Sequence, residues 1–252
     1  VSSPDWKGAA EPMARERVLF YSDGLRLVGE LYVPAGAGPW PAVVVCHGLA
    51  SRKERHADFA GFAAARGLAA LAFDLRGHGE SEGKLDRRAV CDIVAAVACL
   101  QRRSDIDPAR LAVRGSSLGG NLAIHAAAEC AEIRACVAVC PAPEQLLLEG
   151  LRRAVEAGVT SAEVRVDAID LPRHLRERDV RQAVARIAPR PLALIHCLGD
   201  EVVPASASRV LYDLAQEPKE LWLLPGGGHT TAQHDVAVHE RTVAWLLDKL
   251  TP

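Results

Sequence analysis

The chain has 252 residues, 49% of them hydrophobic, and a formal net charge of -2 at pH 7. That length holds one α/β domain or two small ones and buries enough surface for a large core. The balanced charge gives no reason to expect nucleic acid or an anionic membrane as a partner, and no apolar run approaches the roughly 20 residues that span a bilayer.

Val1 to Pro12 carries Pro, Gly, Ser and charges but no apolar h-region, so it does not read as a signal peptide. The single Met is Met13, which leaves the origin of the residues before it open. Arg17–Ser22 and Leu25–Val33 alternate about the turn signal Ser22-Asp23-Gly24 and predict an antiparallel hairpin. Ala42–Cys46 is a Val-rich run without alternation, as expected of a strand buried on both faces. A helix over Arg55–Arg66, closed by Gly67, leads to a second buried strand at Leu68–Phe73. Arg87–Arg102 predicts a helix with Val90, Ile93, Val94 and Val97 as its stripe, and Asp105-Ile106-Asp107-Pro108 a loop. Leu111–Val113, Leu118–Cys130 and Ala135–Val139 read as strand, helix, strand.

The rhythm then breaks. Glu144 to Ala188 holds no buried-strand run and predicts two or three amphipathic helices. Strand and helix resume with Leu192–Cys197, Ala205–Leu214, Leu221–Leu224 and Ala232–Leu250. The alternation predicts an α/β fold: a mostly parallel, doubly wound sheet covered on both faces. The chain reads as a single domain over residues 1–252, with an insertion at about 144–188 lying over the carboxyl edge of the sheet. Of 7 Cys, Cys46, Cys99, Cys136, Cys140 and Cys197 lie in apolar runs and read as buried thiols, which implies a reducing, cytoplasmic setting.

Arg114-Gly115-Ser116-Ser117-Leu118-Gly119-Gly120 sits between a predicted strand and a predicted helix. A G-x-S-x-G elbow needs that setting, because the serine must stand at a sharp turn with its hydroxyl exposed. Serine is a weak nucleophile and needs a base, which in turn needs an orienting acid. The later strand ends supply both in order. Asp200 follows the strand ending at Cys197, with Glu201 as the neighbouring alternative, and His229 follows three glycines after the strand ending at Leu224. Oxyanion donors are expected from the backbone N–H of Leu118 and, in His47-Gly48-Leu49-Ala50, of Leu49.

The other candidates read as structural. His47 and His78 shape loops, His125 and His196 are core groups, and His56, His174, His234 and His239 belong to the surface. Gly77 to Gly83 lacks the spacing of a phosphate loop. Cys136 and Cys140 lack a second pair for zinc, so neither metal nor cofactor is expected.

His47-Gly48, Phe73-Asp74-Leu75-Arg76-Gly77-His78-Gly79-Glu80-Ser81, the elbow, Gly199-Asp200 with Val203-Pro204, and Gly228-His229 occur in order at successive strand ends. Over about Val18 to Leu250 this resembles the α/β-hydrolase superfamily, in particular compact carboxylesterases of the cinnamoyl-esterase-like and monoacylglycerol-lipase-like kinds. The resemblance implies an eight-stranded sheet with the insertion as a small helical cap. It also implies cleavage of a small-molecule ester through an acyl-enzyme on Ser117. The loop at His47 lacks the H-G-G-G run of one lipase and esterase branch. Leu146, Leu147, Leu148, Leu151 and Val155 are candidates to line a pocket, with packing on the sheet as the simpler reading. Thioesterase, amidase or peptidase, acyltransferase and a silent ligand-binding module remain alternatives, and the oligomeric state, a homodimer included, is open.

Overall fold

The computed structural model describes residues 14–156 and 164–251. The segment before residue 14, Met13 included, and the side chain of Val155 lie outside the described residues. The strands are β1 (Ala14–Ser22), β2 (Leu25–Val33), β3 (Trp40–Cys46), β4 (Ala69–Phe73), β5 (Ile106–Ser116), β6 (Ile133–Val139), β7 (Leu192–Cys197) and β8 (Lys219–Leu224). They form one eight-stranded sheet in the order β1-β2-β4-β3-β5-β6-β7-β8. β1 and β2 make the expected hairpin, and β2 meets β4 antiparallel. Every other pairing is parallel.

Helices cover both faces. They are α1 (Ala57–Ala64), α2 (Ala89–Gln101), α3 (Leu118–Glu129), α4 (Glu144–Glu156), α5 (Asp170–Glu177), α6 (Val180–Val184), α7 (Ser206–Leu214), α8 (Thr231–His234) and α9 (Val236–Lys249). β3 shows why its sequence does not alternate. Ala42, Val44 and Cys46 enter the core beneath α2 and α3, while Val43 and Val45 enter the core shared with Phe59 of α1 and Leu246 of α9. Both faces exclude water, so both need apolar side chains.

Three predicted boundaries move. β5 begins at Ile106, so the expected loop around Pro108 is largely strand. The helix expected from Arg55 is a 3-10 turn, Lys53–His56, followed by α1. The last helix divides at Asp235, whose carboxylate caps α9 by accepting from the Val238 N–H at 3.0 Å.

After β3 the chain passes to β4 on one side, and β5 then returns to the other side of β3. The carboxyl ends of β3 and β5 therefore flank a crevice at a topological switch point, where open α/β sheets place their ligands. The insertion between β6 and β7 contains α4, α5 and α6. Its segment after residue 163 is pinned to the loop following β4: the Leu85 N–H donates to the Arg165 carbonyl and the Arg165 N–H to the Gly77 carbonyl, each at 2.7 Å.

That loop is itself held by Arg76, which is 1% exposed. Its guanidinium reaches Asp92 of α2 at 2.6 Å, and Asp86 and Asp23 at 2.9 Å. Removing one partner of a buried ion pair leaves the other charge desolvated and unmatched. Arg76→Met is accordingly expected to lower unfolding stability by about 3–5 kcal/mol in urea titrations.

Candidate active site

β5 delivers the chain to Ser117, and α3 starts at the next residue. Ser117 has φ 55 and ψ -116, a conformation that a residue with a Cβ rarely adopts. Its backbone is fixed on three sides. The Ser117 N–H donates to the Val139 carbonyl at 2.9 Å, and its carbonyl accepts from Asn121 at 3.1 Å and Ala142 at 3.2 Å. The flanking glycines are sterically required. A Cβ on Gly115 would collide with the Gly119 carbonyl, and one on Gly119 with the carbonyl oxygens of Cys46 and His47. Ser117 itself is half-buried, whereas Ser116 is buried.

The loop after β3 packs directly on this turn: a Cβ on Gly48 would stand 3.3 Å from the Ser117 Cβ. His47 braces the loop. The Leu75 N–H donates to Nε2 at 3.0 Å, so the ring proton sits on Nδ1 and is donated to the Gly48 carbonyl at 2.7 Å. Burial holds the His47 pKa below the ordinary imidazole value, which keeps the ring in this neutral form. Among the described residues, neither the Leu49 nor the Leu118 N–H has an acceptor. Both expected donors thus adjoin the turn at Ser117, Leu49 in the loop after β3 and Leu118 as the first residue of α3.

Asp200 and His229 come together from the ends of β7 and β8. His229 Nδ1 donates to Asp200 Oδ2 at 2.7 Å, with the carboxylate fully buried and the imidazole 15% exposed. Asp200 Oδ1 accepts from the N–H groups of Val202 at 2.9 Å and Val203 at 2.8 Å. Burial pushes the Asp200 pKa up. The bonds from His229, Val203 and Val202 outweigh it and leave the pKa below its ordinary value of 3.8. Glu201, the alternative acid, instead lies against Gly228 and makes no hydrogen bond to the ring. The glycines before His229 let the two loops touch: Gly226 and Gly227 have φ near +80, and a Cβ on Gly199 would stand 2.8 Å from the Gly227 carbonyl oxygen. Among the described residues, the Ser117 hydroxyl makes no hydrogen bond to His229, whose ring is bonded to Asp200.

Several residues occupy places the sequence did not indicate. His56 and His239 are buried, not on the surface: His239 on α9 packs against Phe59 and Phe62 of α1, and His56 lies just before α1, its ring stacked on His234. His196 is a core group as expected, but its Nε2 also lies 3.3 Å from Asp200 Oδ2. Their spacing carries no signal of this, because residues four apart along an extended strand are not neighbours. Cys140, with φ 46, brings its thiol to the same carboxylate; the atoms of Cys140, His196 and Asp200 lie within 4.8 Å of one another. This trio suits a metal poorly. Burial and the charge of Asp200 both raise the Cys140 pKa, and the His196 Nε2 is 2.8 Å from the Val203 carbonyl. At the start of α4, Glu144 accepts from Asn121 Nδ2 and pairs with His125 Nε2, each at 2.9 Å, tying the insertion to α3. Leu147 is buried against the core and Leu146, Leu148 and Leu151 are partly so, which favours packing over pocket lining.

Two outcomes test this geometry. Gly119→Ala should lower stability by about 1–3 kcal/mol through overpacking against β3, read by urea unfolding. The stabilisation from the Asp200 bonds should be complete above pH 3.8 and fade as pH falls below it, because the folded pKa lies under the unfolded one. In Asp200→Asn that acid-side decline should be shallower in a pH series of unfolding curves.

Residues 38–161 match the family model described as serine aminopeptidase, S33. The match takes in the β3 loop and Ser117 and stops before Asp200 and His229. The uncharacterized protein YfhR of Escherichia coli O157:H7 is 30% identical over 255 residues, covering 96% of this chain and 84% of the relative. The α/β hydrolase GrgF of Penicillium sp. sh18 superposes with a TM-score of 0.78 at 23% identity, over 94% of this chain and 98% of that one. The Pyrococcus furiosus esterase PF2001 does so with a TM-score of 0.74 at 22% identity, over 95% and 92%. With the eight-stranded sheet, the serine elbow and these relatives together, the chain belongs to the α/β-hydrolase superfamily and is a hydrolase.

Proposed function

We propose that the protein is a serine carboxylesterase that works through an acyl-enzyme on Ser117. The observation that carries this reading is the His229–Asp200 pair, 2.7 Å apart, at the strand ends that follow the elbow in chain order. Ser117 Oγ attacks the ester carbonyl while His229 Nε2 takes its proton. Asp200 accepts from Nδ1, which fixes the tautomer and stabilises the imidazolium. The Leu49 and Leu118 N–H groups receive the oxyanion. Collapse of the tetrahedral species expels the alcohol, which takes the proton from His229. Water then repeats the sequence on the acyl-enzyme and releases the acid. No step calls for a metal or cofactor.

The insertion is the cap in this reading, and a small-molecule ester is the partner. The seven cysteines are free, which supports a reducing compartment. No helix among the described residues is long and apolar enough to cross a membrane. A second reading keeps the same residues and changes the leaving group to an amine, favoured by the serine-aminopeptidase description of the matching family.

Ser117→Ala should reduce kcat/KM on a short-chain p-nitrophenyl ester by at least about 10³-fold, with folding unchanged. Substantial turnover remaining in this variant overturns the assignment. Comparing kcat/KM on matched ester, thioester and aminoacyl-anilide substrates decides the leaving group, and a preference for the anilide would select the second reading.

A further inference from the structure

His196 is fully buried on β7, one turn of chain before Asp200. Both ring nitrogens are occupied. Nε2 is 2.8 Å from the Val203 carbonyl and 3.3 Å from Asp200 Oδ2, and Nδ1 is 2.7 Å from Ser208 Oγ. A carbonyl and a carboxylate only accept, so Nε2 carries a proton. Burial depresses the His196 pKa below 6.5, so the ring is neutral, Nδ1 is bare and the Ser208 hydroxyl donates to it. Asp200 Oδ2 therefore faces two imidazole N–H groups, from His229 and His196, while Oδ1 faces two backbone N–H groups.

We propose that His196 is a positioning residue for Asp200: its Nε2 proton, shared with the Val203 carbonyl, fixes the rotation of the carboxylate and draws charge from the oxygen that holds His229. The proposal rests on Asp200 and His229 acting as the acid and base of the serine. A ring that only filled the core would satisfy Val203 and Ser208 without bearing on His229. The other ionisable groups facing this cluster are Cys140 at the end of β6, Cys197 on β7, Glu201 beside Gly228 and Asp235 before α9.

The sign of the effect follows from charge. Without the His196 donor, Asp200 Oδ2 carries more negative charge and stabilises the His229 imidazolium. The acid limb of kcat/KM, which reports loss of that proton, then moves to higher pH. His196→Leu should shift the limb upward by about 0.5 unit and lower kcat about tenfold, with KM changed less than about twofold. His196→Gln, which restores an N–H at the position of Nε2, should return the limb to within about 0.2 unit of the parent protein. An acid limb in His196→Leu that superimposes on the parent's overturns the proposal.

A measurement on the unsubstituted protein keeps the test decisive if His196→Leu does not fold. Histidine ¹⁵N NMR at about pH 8 should show His196 as the neutral Nε2–H tautomer. An Nδ1–H tautomer overturns the proposal. Failure of the function reading is separable, since it appears as activity retained in Ser117→Ala. Loss of activity there, with an unmoved acid limb in His196→Leu, sinks the role of His196 alone.

Discussion

Ser117 is held with φ 55 where a Cβ is unwelcome, at a cost of about 1–3 kcal/mol that the surrounding backbone must offset. The offset comes from contacts that other parts of the fold create. β6 supplies the acceptor for the Ser117 N–H, and the segment after β6 supplies a donor to its carbonyl. β3 sits so close that Gly119 must be glycine. The turn is therefore a property of three neighbouring parallel strands ending together. Among the described residues, the Leu49 N–H after β3 and the Leu118 N–H after β5 are left without acceptors.

The second constraint is the burial of Asp200. A desolvated carboxylate is destabilised unless its oxygens are filled, and here two backbone and two imidazole groups converge on it. The count decides the charge state: hydrogen bonding outweighs desolvation, and the group stays ionised. Oδ1 is held by two backbone N–H groups and Oδ2 by His229, so rotation about the side chain would break hydrogen bonds in a largely buried site.

The insertion illustrates a different balance. Its helices are amphipathic enough to be recognised in the sequence, but their placement rests on a few polar ties. Glu144 binds Asn121 and His125 on the helix that begins at the serine. Backbone bonds from Arg165 reach the loop after β4, which Arg76 anchors to α2 and to the hairpin. None of these partners is adjacent in sequence; Glu144 and Asn121 are 23 residues apart. Periodicity reports which face of a helix is apolar and says nothing of what that face meets.

The strand and helix rhythm is legible in the chain alone, because a strand buried on both faces must be continuously apolar, as at β3, and an amphipathic helix must repeat near 3.6 residues. So is the order of Ser117, Asp200 and His229 at successive strand ends. That order is a matter of one-dimensional spacing, legible in the glycines and short loops around them. The sheet order that puts β3 beside β5, the contact of His229 with Asp200 and not with Glu201, and the burial of His56 and His239 emerge in three dimensions. So does the approach of His196 and Cys140 to the carboxylate. Those outcomes depend on directions of side chains and on neighbours distant in the chain, and a sequence records neither until the sheet has closed around them.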